Sequence, residues 1–221
     1  MPKQIIAHRG APRLAYNNTV ESFQKALALG PGAVELDVRQ TKDGVLVVIH
    51  DSRISWRRIS RMTFQKLNVL ASKKGFVVPN LAQTLKIIGS KAFVYIELKE
   101  QGYESKVLEV ALQILKPTNF AVISFKANAL KKIKQTWPKI SVGLILKRNN
   151  IKVLTDSDFD FFAIHYNLWK KGFAKLIPKA KHVTVWTADK PELIQKLLKD
   201  KRIYGVTTNE LELALKLNKQ A

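Results

Sequence analysis

The chain has 221 residues, 46% apolar and 25% charged, and it carries 38 Lys and Arg against 17 Asp and Glu. Its length suits one large domain or two small ones, and the absence of cysteine excludes disulfides, thiolate metal sites and a cysteine nucleophile. A formal charge of +21 points to anionic partners (phosphate esters, anionic lipid headgroups or nucleic acid) or to a basic surface that is merely solvated. No signal-type apolar core precedes the first strand-like run, and no run of about 18 apolar residues occurs, so a soluble cytoplasmic protein is expected.

Short β-rich runs alternate with amphipathic helical patterns from end to end. Gln4–His8 opens the series. Thr19–Leu29 follows as a helix, with Thr19 as N-cap and Gly30 as stop. Ala33–Val38 is a second strand, and Lys42-Asp43-Gly44 turns the chain so that Val45–His50 runs back beside it. Val38 to Val45 is too short for a parallel crossover of roughly a dozen residues, so this return is read as antiparallel. Ser52 to Gly75 then holds seven basic residues and no acid, and reads as a loop excursion over residues 52–78 with a short helix at Thr63–Leu70.

Beyond it, strands are expected at Phe93–Leu98, Ala121–Phe125, Ser141–Leu146, Phe161–His165, His182–Trp186 and Ile203–Thr207. Most are continuous apolar runs of about five residues, as parallel strands covered on both faces require. Helices are expected at Leu81–Ile88, Ser105–Leu115, Ala127–Thr136, Asn150–Asp156, Leu168–Lys179, Pro191–Leu198 behind an Asp cap, and Asn209–Leu217. Eight parallel strands with intervening helices close naturally as a single-domain (β/α)₈ TIM barrel, with a doubly wound open sheet as the alternative.

In such a barrel chemistry collects at the C-terminal ends of the strands. There the sequence places His8-Arg9, Glu35 and Asp37, Glu97 and Lys99, and Trp186. Glu35 and Asp37 are two apart and share a face. A hairpin turning about Asp43-Gly44 sets His50 opposite Asp37. Each residue alone has an ordinary structural explanation. Three carboxylates converging on one rim cost several kcal/mol unless cations offset them. Glu35, Asp37 and Glu97 offer hard oxygens suited to Mg²⁺ or Ca²⁺. Arg9 and Lys99 suit a phosphate, and His8 and His50 suit an acid–base pair working near neutral pH. Together they describe cleavage of a phosphate diester. Trp186 either lines the substrate pocket or packs the rim. Trp56 is either an interfacial or stacking residue or a packed loop anchor. His165 and Tyr166 read as structural, and His182 starts its strand at the far end of the barrel.

The chain resembles the glycerophosphodiester phosphodiesterases, of the barrel superfamily that also holds the phosphatidylinositol-specific phospholipases C. The segments that carry the resemblance are Ala7-His8-Arg9-Gly10, Asn18-Thr19-x-Glu21-Ser22-Phe23, Glu35-Leu36-Asp37-Val38-x-x-Thr41-Lys42-Asp43-Gly44 and Val48-Ile49-His50-Asp51. Pro79-x-Leu81-x-x-Thr84-Leu85, Ile96-Glu97-Leu98-Lys99, Ser124-Phe125 and Val185-Trp186-Thr187 continue it. The resemblance implies one divalent cation held by Glu35, Asp37 and Glu97, proton transfer by His8 and His50, and phosphate contacts from Arg9 and Lys99. The implied reaction releases glycerol 3-phosphate and an alcohol. The alternatives are lysophospholipase D-type cleavage, with Arg53–Lys74 approaching an anionic membrane, and a catalytically weak polyanion-binding barrel. No specific nucleic acid is expected as partner. The chain departs from the family at Tyr16-Asn17-Asn18-Thr19, where Pro-Glu-Asn-Thr is usual, along Ile54–Ser60, and at Thr208-Asn209, where Thr-Asp is usual and either pair is expected to cap the last helix.

Overall fold

The computed structural model describes residues 3–154 and 158–220. Eight parallel strands form its centre: β1 (Gln4–His8), β2 (Ala33–Gln40), β6 (Phe93–Leu98), β7 (Phe120–Ser124), β8 (Ser141–Leu146), β9 (Phe161–His165), β10 (His182–Trp186) and β11 (Gly205–Thr208). Each pairs with the next in that order, and β1 pairs with both β2 and β11, so the sheet closes on itself as a (β/α)₈ barrel rather than an open doubly wound sheet.

The helices α1 (Val20–Leu29), α3 (Leu81–Ile88), α4 (Glu104–Ile114), α5 (Ala127–Thr136), α7 (Pro191–Lys199) and α8 (Leu211–Lys219) each bury a stripe of apolar residues. They share the main core with the outward faces of the strands, where Phe23, Phe120, Phe159 and Phe162 are fully buried. Burying side chains of this size contributes roughly 1.5–3 kcal/mol each. The inward faces form a second cluster, Ile6, Ala33, Tyr95, Ala121, Ile123, Ile145, Phe161 and Ala163. This cluster fills the middle of the barrel, where Tyr95 donates its hydroxyl to Gln4 Oε1 at 2.7 Å, and the ionisable side chains gather at the strands' C-terminal ends.

Local chemistry explains the element ends. Thr19, Thr63 and Asn80 accept from the backbone N–H three residues on, at 3.2, 3.3 and 2.8 Å, and Gly30 leaves α1 at φ 71°. Several expectations need correction. Pro191 starts α7, but no side chain caps it; Asp189 turns instead to Asn209. Asn209 does not cap α8 either. Of the helix expected at Leu168–Lys179, the structure has α6 (Tyr166–Lys170) and a 3₁₀ turn at Phe173–Leu176. Asn150–Asp156 holds a 3₁₀ turn at Ile151–Val153, and Asp156 lies outside the described residues.

The return strand β3 (Leu46–Val48) is antiparallel to β2, but Val38 pairs with Val48 and Gln40 with Leu46, one residue out of the expected step. Ile49, not His50, therefore sits at Asp37, its N–H donating to the Asp37 carbonyl at 2.9 Å. A one-residue slip turns every side chain to the other face. His50 reaches the barrel mouth because β3 has already ended.

Residues 52–78 form an ordered excursion. A two-stranded hairpin of β4 (Arg53–Ile54) and β5 (Arg57–Arg58) leads into α2 (Phe64–Ser72). Ile54, Ile59, Met62, Leu67, Ala71, Phe76 and Val78 bury a small core of their own against Val47 and Ile49.

Candidate active site

Strand register assembles the site. His8 pairs with Glu35 across β1 and β2, and Asp37 pairs with Glu97 across β2 and β6, so three adjacent staves bring these four side chains side by side. Lys99 follows two residues after Glu97, and its Nζ lies 2.7 Å from Glu97 Oε1 and 3.1 Å from Asp37 Oδ1. Arg9 leaves β1 with φ 60°, which brings its Nε 3.0 Å from Asp37 Oδ2 while its backbone N–H donates to Glu35 Oε2 at 3.1 Å. Gly10 completes this bend at φ 88°, where a Cβ would stand 2.7 Å from the Ser22 backbone carbon. Gly10→Ala is expected to lose more than about 1 kcal/mol of stability, through both the positive φ and the clash, as a drop in the thermal unfolding midpoint.

All three carboxylates are buried. Burial and the charges of Asp37 and Glu97 hold the Glu35 carboxyl well above the ordinary range. Burial and Asp37 push Glu97 up to about 7. Burial acts the same way on Asp37, but Lys99, Arg9 and the Asn18 amide overcome it and leave that carboxyl below its usual value. Burial alone would depress Lys99; Asp37 and Glu97 raise it instead. Two cations thus face three carboxylates, and Glu35 Oε1 is buried without any hydrogen-bond donor. One oxygen from each carboxylate lies within 4.8 Å of the others. A hard divalent cation fits this donor set and supplies the missing positive charge.

Two residues fix the histidines. His8 Nδ1 lies 2.8 Å from Asn209 Oδ1, and Asn209 Nδ2 donates to Asp189 Oδ2 at 2.7 Å. A carboxylate only accepts, so the Asn209 amide nitrogen faces Asp189 and its oxygen faces His8. His8 therefore donates through Nδ1 and presents a bare Nε2, 4.0 Å from Glu35 Oε2. Burial and Arg9 lower this imidazole to about 4. His50 donates through Nδ1 to Asp51 Oδ1 at 2.8 Å, which also leaves Nε2 bare. It is half-buried, and burial lowers its pKa. The backbone carbonyl of His50 accepts from Arg39 Nε and Nη2 at 2.8 and 2.6 Å, and Arg39 is itself paired to Glu100.

Of these groups, His8, Arg9, Glu35, His50, Glu97 and Lys99 line a cavity of about 270 Å³ sunk into the barrel mouth. Ile123, Phe125, Ile145, Ala163 and Trp186 form its apolar side. Trp186 donates its indole N–H to the Ala163 carbonyl at 3.0 Å and meets Phe125 edge to face at 5.7 Å, so it both packs the rim and lines the pocket. His165 stands behind it, its ring 5.0 Å from Trp186, accepting from the Asn167 N–H. His182 stacks on Tyr204 at the far end.

The structure thus brings together His8, Arg9, Glu35, Asp37, His50, Glu97, Lys99 and Trp186. Sequence reasoning missed the roles of Asn18, whose Nδ2 donates to Asp37 Oδ2 at 2.7 Å, and of Arg39, Asp189 and Asn209. Asn18 carried a signal, being the polar residue left where Pro and Glu are lost. Arg39 carried none.

A parallel barrel with clustered carboxylates, imidazoles and cations at the C-terminal ends of its staves has the architecture of a phosphoric ester hydrolase. Residues 8–213 match the Glycerophosphoryl diester phosphodiesterase family, and the chain belongs to that family. Among its relatives are a glycerophosphodiester phosphodiesterase of Caldanaerobacter subterraneus, 26% identical over 98% of each chain. Another is a putative glycerophosphodiester phosphodiesterase of Bacillus subtilis, 28% identical over 87% of this chain and 89% of that one. Among solved structures, a phosphodiesterase of Oleispira antarctica in complex with the product sn-glycerol-3-phosphate superposes with a TM-score of 0.87 at 23% identity, covering 99% of this chain and 97% of that one. A glycerophosphodiester phosphodiesterase from Parabacteroides distasonis gives 0.86 at 24% identity, with 100% and 99% covered.

Proposed function

We propose that this chain hydrolyses glycerophosphodiesters to glycerol 3-phosphate and an alcohol such as choline or ethanolamine, depends on a divalent cation, Mg²⁺ or Ca²⁺, at Glu35, Asp37 and Glu97, and transfers protons through His8 and His50. The observation that carries the reading is the buried trio of carboxylates, Glu35 Oε1 lacking any donor, between two imidazoles that each present a bare Nε2. The product named for the Oleispira antarctica structure agrees with this substrate class. When bound, the cation supplies Lewis-acid stabilisation of phosphoryl oxygens.

Arg9 and Lys99 line the same cavity as Glu35 and Glu97, where they take up charge on the phosphate. His8, neutral because it is buried beside Arg9, removes the proton of the glycerol 2-hydroxyl at Nε2. That oxygen attacks phosphorus, the bond from phosphorus to the headgroup oxygen breaks, and His50 as imidazolium gives its proton to the departing alcohol. Burial lowers the His50 pKa, and the Asp37 and Asp51 carboxylates oppose it by favouring the charged form. Water then opens the cyclic phosphate with the two roles exchanged, leaving glycerol 3-phosphate. The glycerol carbons lie against the apolar side, with Trp186 at its rim. The chain acts as one catalytic domain, and the excursion of residues 52–78 stands beside its mouth.

A second reading, lysophospholipase D-type cleavage at a membrane, is favoured by the basic excursion Arg53–Lys74 beside the mouth. Purified protein is to be incubated with glycerophosphocholine and, separately, lysophosphatidylcholine, each with Mg²⁺, with Ca²⁺ and with EDTA. Glycerol 3-phosphate from the first, lost with EDTA, is the expected result; no turnover of any headgroup with either cation overturns it.

A further inference from the structure

The β4–β5 hairpin ends in a two-residue turn, Ser55-Trp56, with both residues at positive φ, 44° and 66°. That turn type strongly prefers Asn and Gly, so a bulky indole is held here in a conformation that costs free energy. Trp56 is 92% exposed and is not packed as a loop anchor. The base of the hairpin is fixed, with Ile54 and Ile59 in the excursion's core and the Ile59 N–H donating to the Ser52 carbonyl at 3.0 Å. Arg53 Nη1 donates to the Trp56 carbonyl at 3.2 Å and supports the tip. The result is a rigid prong with an apolar ring at its end.

Arg53, Arg57, Arg58 and Arg61 surround that ring, all exposed, and none of them pairs with a carboxylate among the described residues. The prong stands beside the catalytic mouth: a second cavity of about 190 Å³ has Arg9, His50 and Asp51 on one wall and Arg53, Ser55 and Lys74 on the other. The segments that follow β7, β8, β9 and β10 add exposed Lys126, Lys147, Arg148, Lys170 (the end of α6) and Lys190 to the same end of the barrel.

We propose that the Arg53–Arg58 hairpin docks the catalytic face on an anionic phospholipid bilayer, with Trp56 seated at the headgroup level and the four arginines on lipid phosphates. Indole rings favour that interface, and each basic residue near it strengthens binding about fivefold. A prong that carries its aromatic ring at a convex tip is shaped to insert. A polynucleotide platform instead needs a groove along which bases stack. The inference rests on the phosphodiesterase reading only for its purpose, since docking sets the mouth over headgroups of the chemistry the site accepts.

The test is co-sedimentation of the full chain with vesicles of phosphatidylcholine alone or mixed with phosphatidylglycerol, with quenching of tryptophan emission by brominated lipid as a second readout that needs no variant. Binding to mixed vesicles only, weakened by salt, with quenched emission, is expected. Trp56→Ala should weaken partitioning roughly tenfold, and Arg57→Glu with Arg58→Glu more than about 25-fold. All three side chains are exposed, so unfolding temperature and turnover of soluble glycerophosphocholine stay at the wild-type level. No vesicle binding by the wild type overturns docking while leaving the hydrolase reading intact. Binding indifferent to Trp56→Ala and unquenched, or duplex DNA held more tightly than vesicles at equal salt, overturns it as well. Loss of glycerophosphocholine turnover by the wild type with docking retained overturns the hydrolase reading alone.

Discussion

Replacing His8 by Ala is expected to lower kcat on glycerophosphocholine by about 10³-fold, and His50→Ala by a similar factor, because each removes one of two positioned proton-transfer groups. KM should move little, since Arg9, Lys99 and the carboxylate cluster remain. The double variant should be about as slow as the slower single one, because an acid and a base that act in the same step lose their value together. Asn209→Ala leaves both imidazoles in place but frees His8 Nδ1 from the acceptor that now fixes its tautomer. It is expected to cost about 10–100-fold in kcat. Steady-state kinetics decide this, and either histidine variant retaining a tenth of wild-type kcat would falsify the assignment.

The cation proposed at Glu35, Asp37 and Glu97 would compete with protons for Glu35 and Glu97. Glu97 is raised from an ordinary 4.5 to about 7, so the folded protein binds its proton more tightly than the unfolded chain does. For a carboxyl shifted upward, stability without cation is greatest below about pH 4.5, falls as pH rises to about 7, and levels off above. The loss due to Glu97 is on the order of 3 kcal/mol. Burial and its acidic neighbours raise Glu35 as well, which deepens the same trend. A cation that binds only the ionised cluster recovers this loss. The rise in unfolding temperature produced by Mg²⁺ or Ca²⁺ should therefore be small at pH 5 and reach roughly 5–10 °C at pH 8. Calorimetric scans with cation or EDTA at the two pH values provide the measurement. A cation effect equal at both pH values, or larger at pH 5, contradicts the assignment of Glu35, Asp37 and Glu97 as ligands.

The strands were legible because buried parallel strands write themselves as unbroken apolar runs; the bounds of Phe93–Leu98, Ser141–Leu146, Phe161–His165 and His182–Trp186 agree residue for residue. The candidate site residues were legible only together: each has an ordinary structural explanation, and their convergence on one rim singled them out. The hairpin register was not, because a turn around Asp43-Gly44 admits two pairings one residue apart, and only the packing of Val47 and Ile49 under the excursion selects between them. Asn209 was misread for a different reason. A short amide before a helix has the same appearance whether it caps the helix or accepts from an imidazole, and the imidazole lies 201 positions away. Arg39 falls just past the expected strand Ala33–Val38 and drew no reading; its grip on the His50 carbonyl exists only once the chain has turned back.

The seam between β1 and β11 has a consequence for the order of events during synthesis. His8 is made 201 positions ahead of Asn209, yet its ring waits for that residue, and the open edge of β1 waits for Gly205–Thr208. The Lys3 N–H and carbonyl are likewise satisfied only by Asn218. A ribosome-bound chain can therefore carry His8, Glu35, Asp37, His50 and Glu97 and still hold His8 loosely. Hydrolytic competence arrives late, with the last strand and helix, after the excursion that bears Trp56 has been complete for well over a hundred residues.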